Sequence, residues 1–362
     1  MANKNLNSAK AAKKDEFYTQ LSDIEHEMQH YWEHFRGKTI LCNCDDPYES
    51  NFFKYFALRF NQLGLKKLIC TCYNGSPVQG NELVFRFAPY DDEPEQKIAH
   101  KLVITEVNDM NGDGAVDLAD VRYLLENDKN VLSTLQTGDF RSQECIELLK
   151  EADIVVTNPP FSLFREYIGQ LMEYKKKFIV LGRMSAIHYS EIFPYIKDKL
   201  IWLGYGFNLS MVYKTPYDNN DENNRKFVLS KGFNPDDNYI KVPAITWFTN
   251  LDHTKRHEML DLVCRYSPED YPKYDNFDAI DVGEVQNIPY DWEGIMGVPD
   301  TILGQLNPDQ FEILGIGSGN LAKQIGIGKN YRGRTDLAYT INGKSKCPYS
   351  RILIRNKHPR AL

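Results

Sequence analysis

The segment best suited to chemistry is Asn158-Pro159-Pro160-Phe161, which directly follows the apolar run Ile154-Val155-Val156-Thr157. An exocyclic amine conjugated to an aromatic ring is a poor nucleophile, because its lone pair is delocalised into the ring. Two acceptors set against its N–H groups draw the nitrogen toward a tetrahedral form and free that lone pair. The Asn158 side-chain oxygen and the Pro159 carbonyl can be those acceptors. The prolines add rigidity, because their φ is fixed. Phe161 offers a face on which an extruded base can stack, worth about 1–3 kcal/mol. No strong general base is needed, since the amine loses its proton after attack. Catalysis then consists of positioning and preorganised electrostatics. A bare Asn-Pro-Pro is only a turn between a strand and a helix; the apolar strand before it gives the chemical reading its weight.

The surrounding pattern predicts the elements that must hold such a segment. Asp15 to about Phe35 has helical spacing and is stopped by Gly37. Thr39–Cys44, Lys67–Cys72, Asp153–Thr157 and Phe178–Leu181 are continuous apolar runs, expected as buried strands. A helix is expected over Phe52–Phe60 and another over 163–174, and a last strand over Val242–Phe248. Strands of this kind alternating with helices indicate an α/β fold with a parallel sheet covered on both faces. Ligands then bind at the carboxyl ends of the strands, where the Asn-Pro-Pro-Phe segment falls. Residues 216–226 are Asn-rich and polar, and a mobile loop is expected there. No internal repeat is present. The texture changes near residue 252, which predicts a catalytic domain over 1–252 and a second domain over 253–362.

The segment Asn158–Phe161 resembles the catalytic motif of the adenine-N6 DNA methyltransferases that use S-adenosylmethionine. Asp15-Glu16-Phe17-Tyr18-Thr19 is similar to the family's N-terminal motif, which implies that Phe17, Tyr18 and Thr19 meet the methionine end of the cofactor. Asp45-Asp46-Pro47 stands where the family carries an acidic-Pro sequence after its first strand. Gly138-Asp139-Phe140 resembles the segment whose acid and aromatic lie near the cofactor adenine. Together with Ile245–Leu251 and Tyr349–Lys357, the arrangement resembles the EcoRI-type modification methylases over nearly the full length. The resemblance implies a Rossmann-like, S-adenosylmethionine-dependent methyltransferase domain with a mostly parallel sheet, plus a smaller C-terminal target-recognition domain. It implies methyl transfer to N6 of a flipped adenine in double-stranded DNA, within a restriction-modification system. RNA adenine or protein glutamine as substrate, or a non-catalytic DNA-binding protein of the same fold, are the alternatives.

The sequence departs from the family in two places. The Gly-rich loop after the first strand is absent, and Asp46-Pro47-Tyr48-Glu49-Ser50 stands there instead. A backbone without glycine cannot approach a ligand as closely. No acid follows the second strand, where Thr71-Cys72-Tyr73 stands, so no residue is assigned to the cofactor ribose. Ile313–Gly319 mimics a strand with a G-x-G-x-G loop and would make the protein a permuted methylase. No helix is expected after it, which argues against that order.

Asp109, Asn111, Asp113, Asp117 and Asp120 fall at positions 1, 3, 5, 9 and 12 of a calcium-type loop, with Gly114 at position 6. A structural calcium clip is the functional reading of that spacing, and an Asn-Gly/Asp-Gly surface turn is the bland one. Cys42/Cys44 and Cys70/Cys72 are spaced more tightly than structural zinc ligands, and are expected as small buried side chains on adjacent strands. The eight histidines form no metal-binding pair.

The chain has 362 residues, 42% hydrophobic and 26% charged, which excludes wholesale disorder. No run approaches a membrane span, and the N-terminus has no apolar core of a secretory signal. A cytoplasmic protein with seven reduced cysteines is expected. The net charge of −7 is an average over unlike parts. Residues 1–14 carry +4 and residues 320–362 carry +9, which leaves −20 on residues 15–319. Basic residues among tyrosines suit phosphates and guanine edges. Arg332, Arg334, Lys344, Lys346, Arg351 and Arg355 are the expected DNA contacts, and Asn342-Gly343 predicts a hairpin among them. A monomer is expected, with any cognate restriction endonuclease acting on the same site without stable contact.

Overall fold

Short runs of apolar, β-branched residues form the strands that matter most: Thr39–Cys42 (β1), Lys67–Thr71 (β2), His100–Ile104 (β3), Val131–Thr134 (β4), Ile154–Thr157 (β5) and Lys177–Arg183 (β6). The computed structural model describes residues 19–44, 50–72, 99–109, 131–214, 221–237 and 239–360. The chain divides into two compact units, Met1–Ala186 with Gly206–Leu251, and Ile187–Tyr205 with Asp252–Leu362.

In the first unit the sheet runs β4-β3-β2-β1-β5-β6 and then Tyr239–Thr249. The centre, β2-β1-β5-β6, is parallel. β3 and β4 extend it antiparallel on one side, and Tyr239–Thr249 pairs antiparallel with β6 on the other. Leu209–Lys214 pairs antiparallel with the first half of Tyr239–Thr249. Every residue of β1 and β5 is buried, as strands covered on both faces require. Alternation assigns the faces. Ile40, Cys42, Leu68, Cys70, Ile154 and Val156 share a core with Phe35, Phe52 and Phe56 from the helical segments 21–35 and 51–63. On the other face the helix Phe164–Glu173 sets Phe164 against Phe248, ring centroids 5.0 Å apart.

Cys42 and Cys70 are register partners and fully buried, and Cys72 is buried as well, the packing role expected of them, whereas Cys44 is half-buried in a turn beyond β1. Among the described residues no group of three or more His, Cys, Asp or Glu is placed to hold a metal. Of the calcium-type loop only Asp109 is described; Asn111, Asp113, Asp117 and Asp120 lie outside the described residues. No helix of the described residues is long and apolar enough to cross a membrane.

The structure corrects three local expectations. The first helical region breaks into Leu21–Met28, a 3-10 turn Gln29–Tyr31 and Trp32–Phe35. Within 216–226, residues from Glu222 onward form the helix Glu222–Ser230, because Asp221 caps it by accepting from the Asn224 N–H at 2.8 Å; residues 216–220 lie outside the described set. A helix, Gly319–Gln324, does follow the Gly-rich run at 313–319. The strand before it, Phe311–Ile316, nevertheless pairs antiparallel with Arg351–Asn356, so the pair is not a parallel nucleotide-binding unit.

In the second unit four strands pair in the order Ile280–Asp281, Met296–Pro299, Arg351–Asn356, Phe311–Ile316. The expected hairpin joins Tyr339–Ile341 to Lys344–Lys346. Asn342 (φ 51) and Gly343 (φ 72) turn it, the two positive angles that a two-residue hairpin of matching twist demands.

Candidate active site

β1 is flanked by β2 on one side and β5 on the other, so the strand order reverses between β1 and β5. In an open α/β sheet that reversal opens a crevice at the carboxyl ends. Leu41 pairs with Val155, which sets Asn43 level with Thr157 and starts Asn158 one residue beyond the edge. The backbone then turns through Pro159 and Pro160 into a 3-10 turn, Phe161–Leu163, and the helix Phe164–Glu173. Pro159 is buried, and Asn158 and Phe161 are half-buried. The Asn158 Oδ1 atom is itself buried. Phe161 packs against the apolar core, and the Arg183 guanidinium, from the carboxyl end of β6, stands 5.6 Å from its ring centroid.

Tyr167, three residues into that helix, ties three segments together. Its hydroxyl donates to Asn43 Oδ1 at the end of β1. Its ring meets Phe140 edge-on at 5.1 Å, and Gln170 on the same helix donates to the Phe140 carbonyl at 3.0 Å. Asn43 is buried, and its Nδ2 is a buried donor with no acceptor among the described residues. Tyr167→Phe should destabilise the protein by about 1–3 kcal/mol, the cost of depriving a buried acceptor of its donor. The check is chemical denaturation beside a cofactor titration. A role confined to packing would leave both curves unchanged.

The loop before Phe140 is built by a carboxylate. Burial pushes Glu144 up, but the backbone N–H groups of Thr137, Gln136 and Gly138, at 2.9, 2.9 and 3.2 Å, hold it below the usual carboxylate range. Gly138 (φ 66) sits against the Cys72 carbonyl, where any side chain would collide. Gly138→Val should therefore displace Asp139 and Phe140 and weaken binding of a nucleoside cofactor by tenfold or more, read by calorimetry. Asp139 is gripped by Arg141: Nε reaches Oδ1 at 2.9 Å and Nη2 reaches Oδ2 at 2.6 Å. That pairing holds the Asp139 carboxyl below its usual range. Arg141 Nη1 also reaches Glu166 on the helix that follows Phe161, at 3.4 Å. A carboxylate has about four acceptor positions, and among the described residues three are filled, by the N–H and side chain of Arg141. One remains for a ligand.

The structure thus brings Asn158, Pro159, Pro160 and Phe161 to one edge of the sheet, with Asp139 and Phe140 linked to them through Tyr167 and Gln170. Thr19 is buried, and its carbonyl accepts from Asn51 Nδ2 at 2.8 Å. Phe17, Tyr18, Asp45, Asp46 and Pro47 lie outside the described residues. Asn43, Arg141, Glu144 and Tyr167 were not picked out from sequence. Only Glu144 carried a signal, an acid in the first turn of a helix capped by Ser142. The buried donor of Asn43, the open acceptor on Asp139 and the ring of Phe140 fit the adenosine end of S-adenosylmethionine.

In the second unit Arg332, Arg334, Lys344 and Lys346 are exposed. Arg355 is exposed and paired with Glu312 at 3.3 Å. Arg351 departs from expectation. It is buried, and its Nε donates to Asp281 Oδ1 at 2.8 Å, which gives it a structural role.

A family model described as "Adenine-specific methyltransferase EcoRI" matches residues 5–357. The chain is 42% identical to the Type II methyltransferase M.EcoRI of Escherichia coli, over 98% of this chain and 97% of that one. It is 36% identical to the Type II methyltransferase M.MpnI of Mycoplasma pneumoniae, over 97% of this chain and 98% of that one. It is 35% identical to the Type II methyltransferase M.MgeORF184P of Mycoplasma genitalium, over the same shares. No solved structure matches.

Proposed function

The chain belongs to the EcoRI adenine-specific methyltransferase family, and from that premise we propose that it methylates N6 of an adenine flipped out of duplex DNA. The observation that carries the reading is the Asn-Pro-Pro-Phe turn at the carboxyl end of β5, beside the point where the strand order reverses. S-adenosylmethionine supplies an electrophilic methyl group on a positively charged sulfur.

The residues of this chain do the rest. Asn158 Oδ1 and the Pro159 carbonyl accept the two N6–H bonds and localise the nitrogen lone pair. Pro160 holds that turn rigid, and Phe161 gives the adenine a surface, with Arg183 fixing the ring from one side. As the nitrogen–carbon bond forms and the sulfur–carbon bond breaks, N6 becomes positive. Both hydrogen bonds then strengthen, which is stabilisation realised in the transition state. One N6 proton leaves afterward to water. Asn43 Nδ2, Asp139 and Phe140 hold the adenosine end of the cofactor; by resemblance, Phe17, Tyr18 and Thr19 serve the methionine end, and Asp45, Asp46 and Pro47 are further cofactor-binding residues. The exposed basic residues of the second unit face the DNA. The enzyme works as a cytoplasmic monomer that modifies one strand at a time, within a restriction-modification system.

The test is transfer of labelled methyl groups to duplex DNA, RNA and protein offered separately. Label in N6-methyldeoxyadenosine from duplex DNA is expected. Label confined to RNA or to glutamine would reassign the substrate, and a protein that binds neither cofactor nor label would be a non-catalytic relative.

A further inference from the structure

The second unit contains a cleft of about 730 Å³ that the methyl-transfer chemistry leaves unused. Part of its lining is the loop 330–336, which presents Arg332 and Arg334. Asn330 builds that loop. Its Oδ1 accepts from the backbone N–H of Arg332 at 2.8 Å and of Arg334 at 3.3 Å, while its Nδ2 donates to the Asp336 carbonyl at 3.0 Å. The Asn330 N–H closes the turn on the Arg334 carbonyl at 2.8 Å. Arg351 and Arg355 are engaged by carboxylates; among the described residues no salt bridge engages Arg332 or Arg334.

The same cleft is lined by His188 and Ser350. His188 Nε2 lies 3.1 Å from Asp300 Oδ2, and Nδ1 lies 3.2 Å from Ser350 Oγ. Asp300 is buried, so the imidazole is held between it and the Ser350 hydroxyl. The Ser350 hydroxyl is thereby fixed in place on the cleft wall. Tyr349, 82% exposed, supplies an aromatic surface at the rim.

We propose that this cleft reads base edges of duplex DNA, with Arg332 and Arg334 directed to guanine. The inference rests on duplex DNA being the substrate. Two arguments separate base reading from phosphate binding. The lining sets the guanidinium groups of Arg332 and Arg334, and of the Asp281-paired Arg351, beside the Ser350 hydroxyl and the Asp336 carboxylate, and a carboxylate repels phosphate but suits a base amine. A guanidinium on a rigid loop can make the two parallel bonds that guanine O6 and N7 accept. The exposed hairpin that carries Lys344 and Lys346 has a different character: its strands offer ammonium point charges and no carboxylate or guanidinium, which suits the phosphate backbone.

The full-length protein is tested on a pool of randomised duplexes, by binding enrichment at fixed salt and, separately, by methyl transfer. The variants are Arg332→Ala, Arg334→Ala and Lys344→Ala/Lys346→Ala, all at exposed positions that leave the fold intact. Each arginine variant should lose preference for guanine at one position by about 5- to 150-fold. The lysine pair should weaken binding evenly across sequences and flatten its salt dependence. Arginine variants that behave like the lysine pair, or that change nothing, overturn the inference, as does a wild-type protein that enriches no sequence. Enrichment by the wild type without methyl transfer would remove the proposed reaction and leave the cleft assignment standing.

Discussion

Asn158→Ala should lower methyl transfer by about 10²–10³-fold or more while leaving cofactor affinity within about twofold. The magnitude is that of removing one preorganised hydrogen bond aimed at charge that develops in the transition state. Asn158 lies beyond the last paired residue of β5, Thr157, so truncating it removes no sheet hydrogen bond. The residues assigned to the adenosine end, Asn43, Asp139 and Phe140, stand on other segments, which is why binding should survive. Asn158→Asp keeps an acceptor at the same position and should retain more activity than the alanine variant. Single-turnover transfer from labelled cofactor, with the affinity measured by calorimetry, separates the two quantities. Near-normal turnover by Asn158→Ala would show that the acceptors lie elsewhere.

Arg351→Ala should destabilise the second unit by about 3–5 kcal/mol, the usual consequence of stranding one member of a buried charge pair. Asp281 is 5% exposed and accepts from both Arg351 Nε at 2.8 Å and the Tyr274 hydroxyl at 2.6 Å. Burial, followed by the Asp281 charge, pushes the Tyr274 hydroxyl well above its usual range, so it stays a neutral donor. Without the guanidinium, the carboxylate keeps one neutral donor and loses its only opposite charge among the described residues. Replacing Asp281 and Arg351 together by apolar residues of similar volume should be much milder than either single change, since no charge is then left buried. Urea denaturation of the single and double variants gives the coupling. A variant that is normally stable but fails to bind DNA would return Arg351 to the recognition surface.

These two residues mark the limits of what sequence could reveal. The place of Asn158, just past the end of a buried strand, was legible because its neighbours are informative: an apolar run before it, and two prolines and an aromatic after it. The Asn342-Gly343 hairpin was legible for a similar reason, since few residues tolerate two successive positive φ angles. Arg351 was not. It lies four residues from the exposed Arg355 on one strand, and nothing local distinguishes them. The difference lies in Asp281, 70 positions away. The bond from Tyr167 to Asn43 spans 124 positions and was hidden in the same way. The helix Glu222–Ser230 was misjudged because its asparagines outweighed the capping aspartate before it. The helix after Gly319 was missed because the glycines beyond it dominated the pattern.

The adjacency of β1 and β5 also governs how the molecule must assemble. The Thr39 N–H bonds the Asp153 carboxylate at 2.8 Å across 114 positions, with β2, β3 and β4 lying between in the chain. Closing so long a loop is entropically costly and kinetically slow, and it must precede any gain from the contact. The crevice does not exist until that closure occurs, because its two sides arrive on opposite ends of the loop. A growing chain therefore has no half-built site to misuse. The event that completes the parallel core is also the one that creates the active edge.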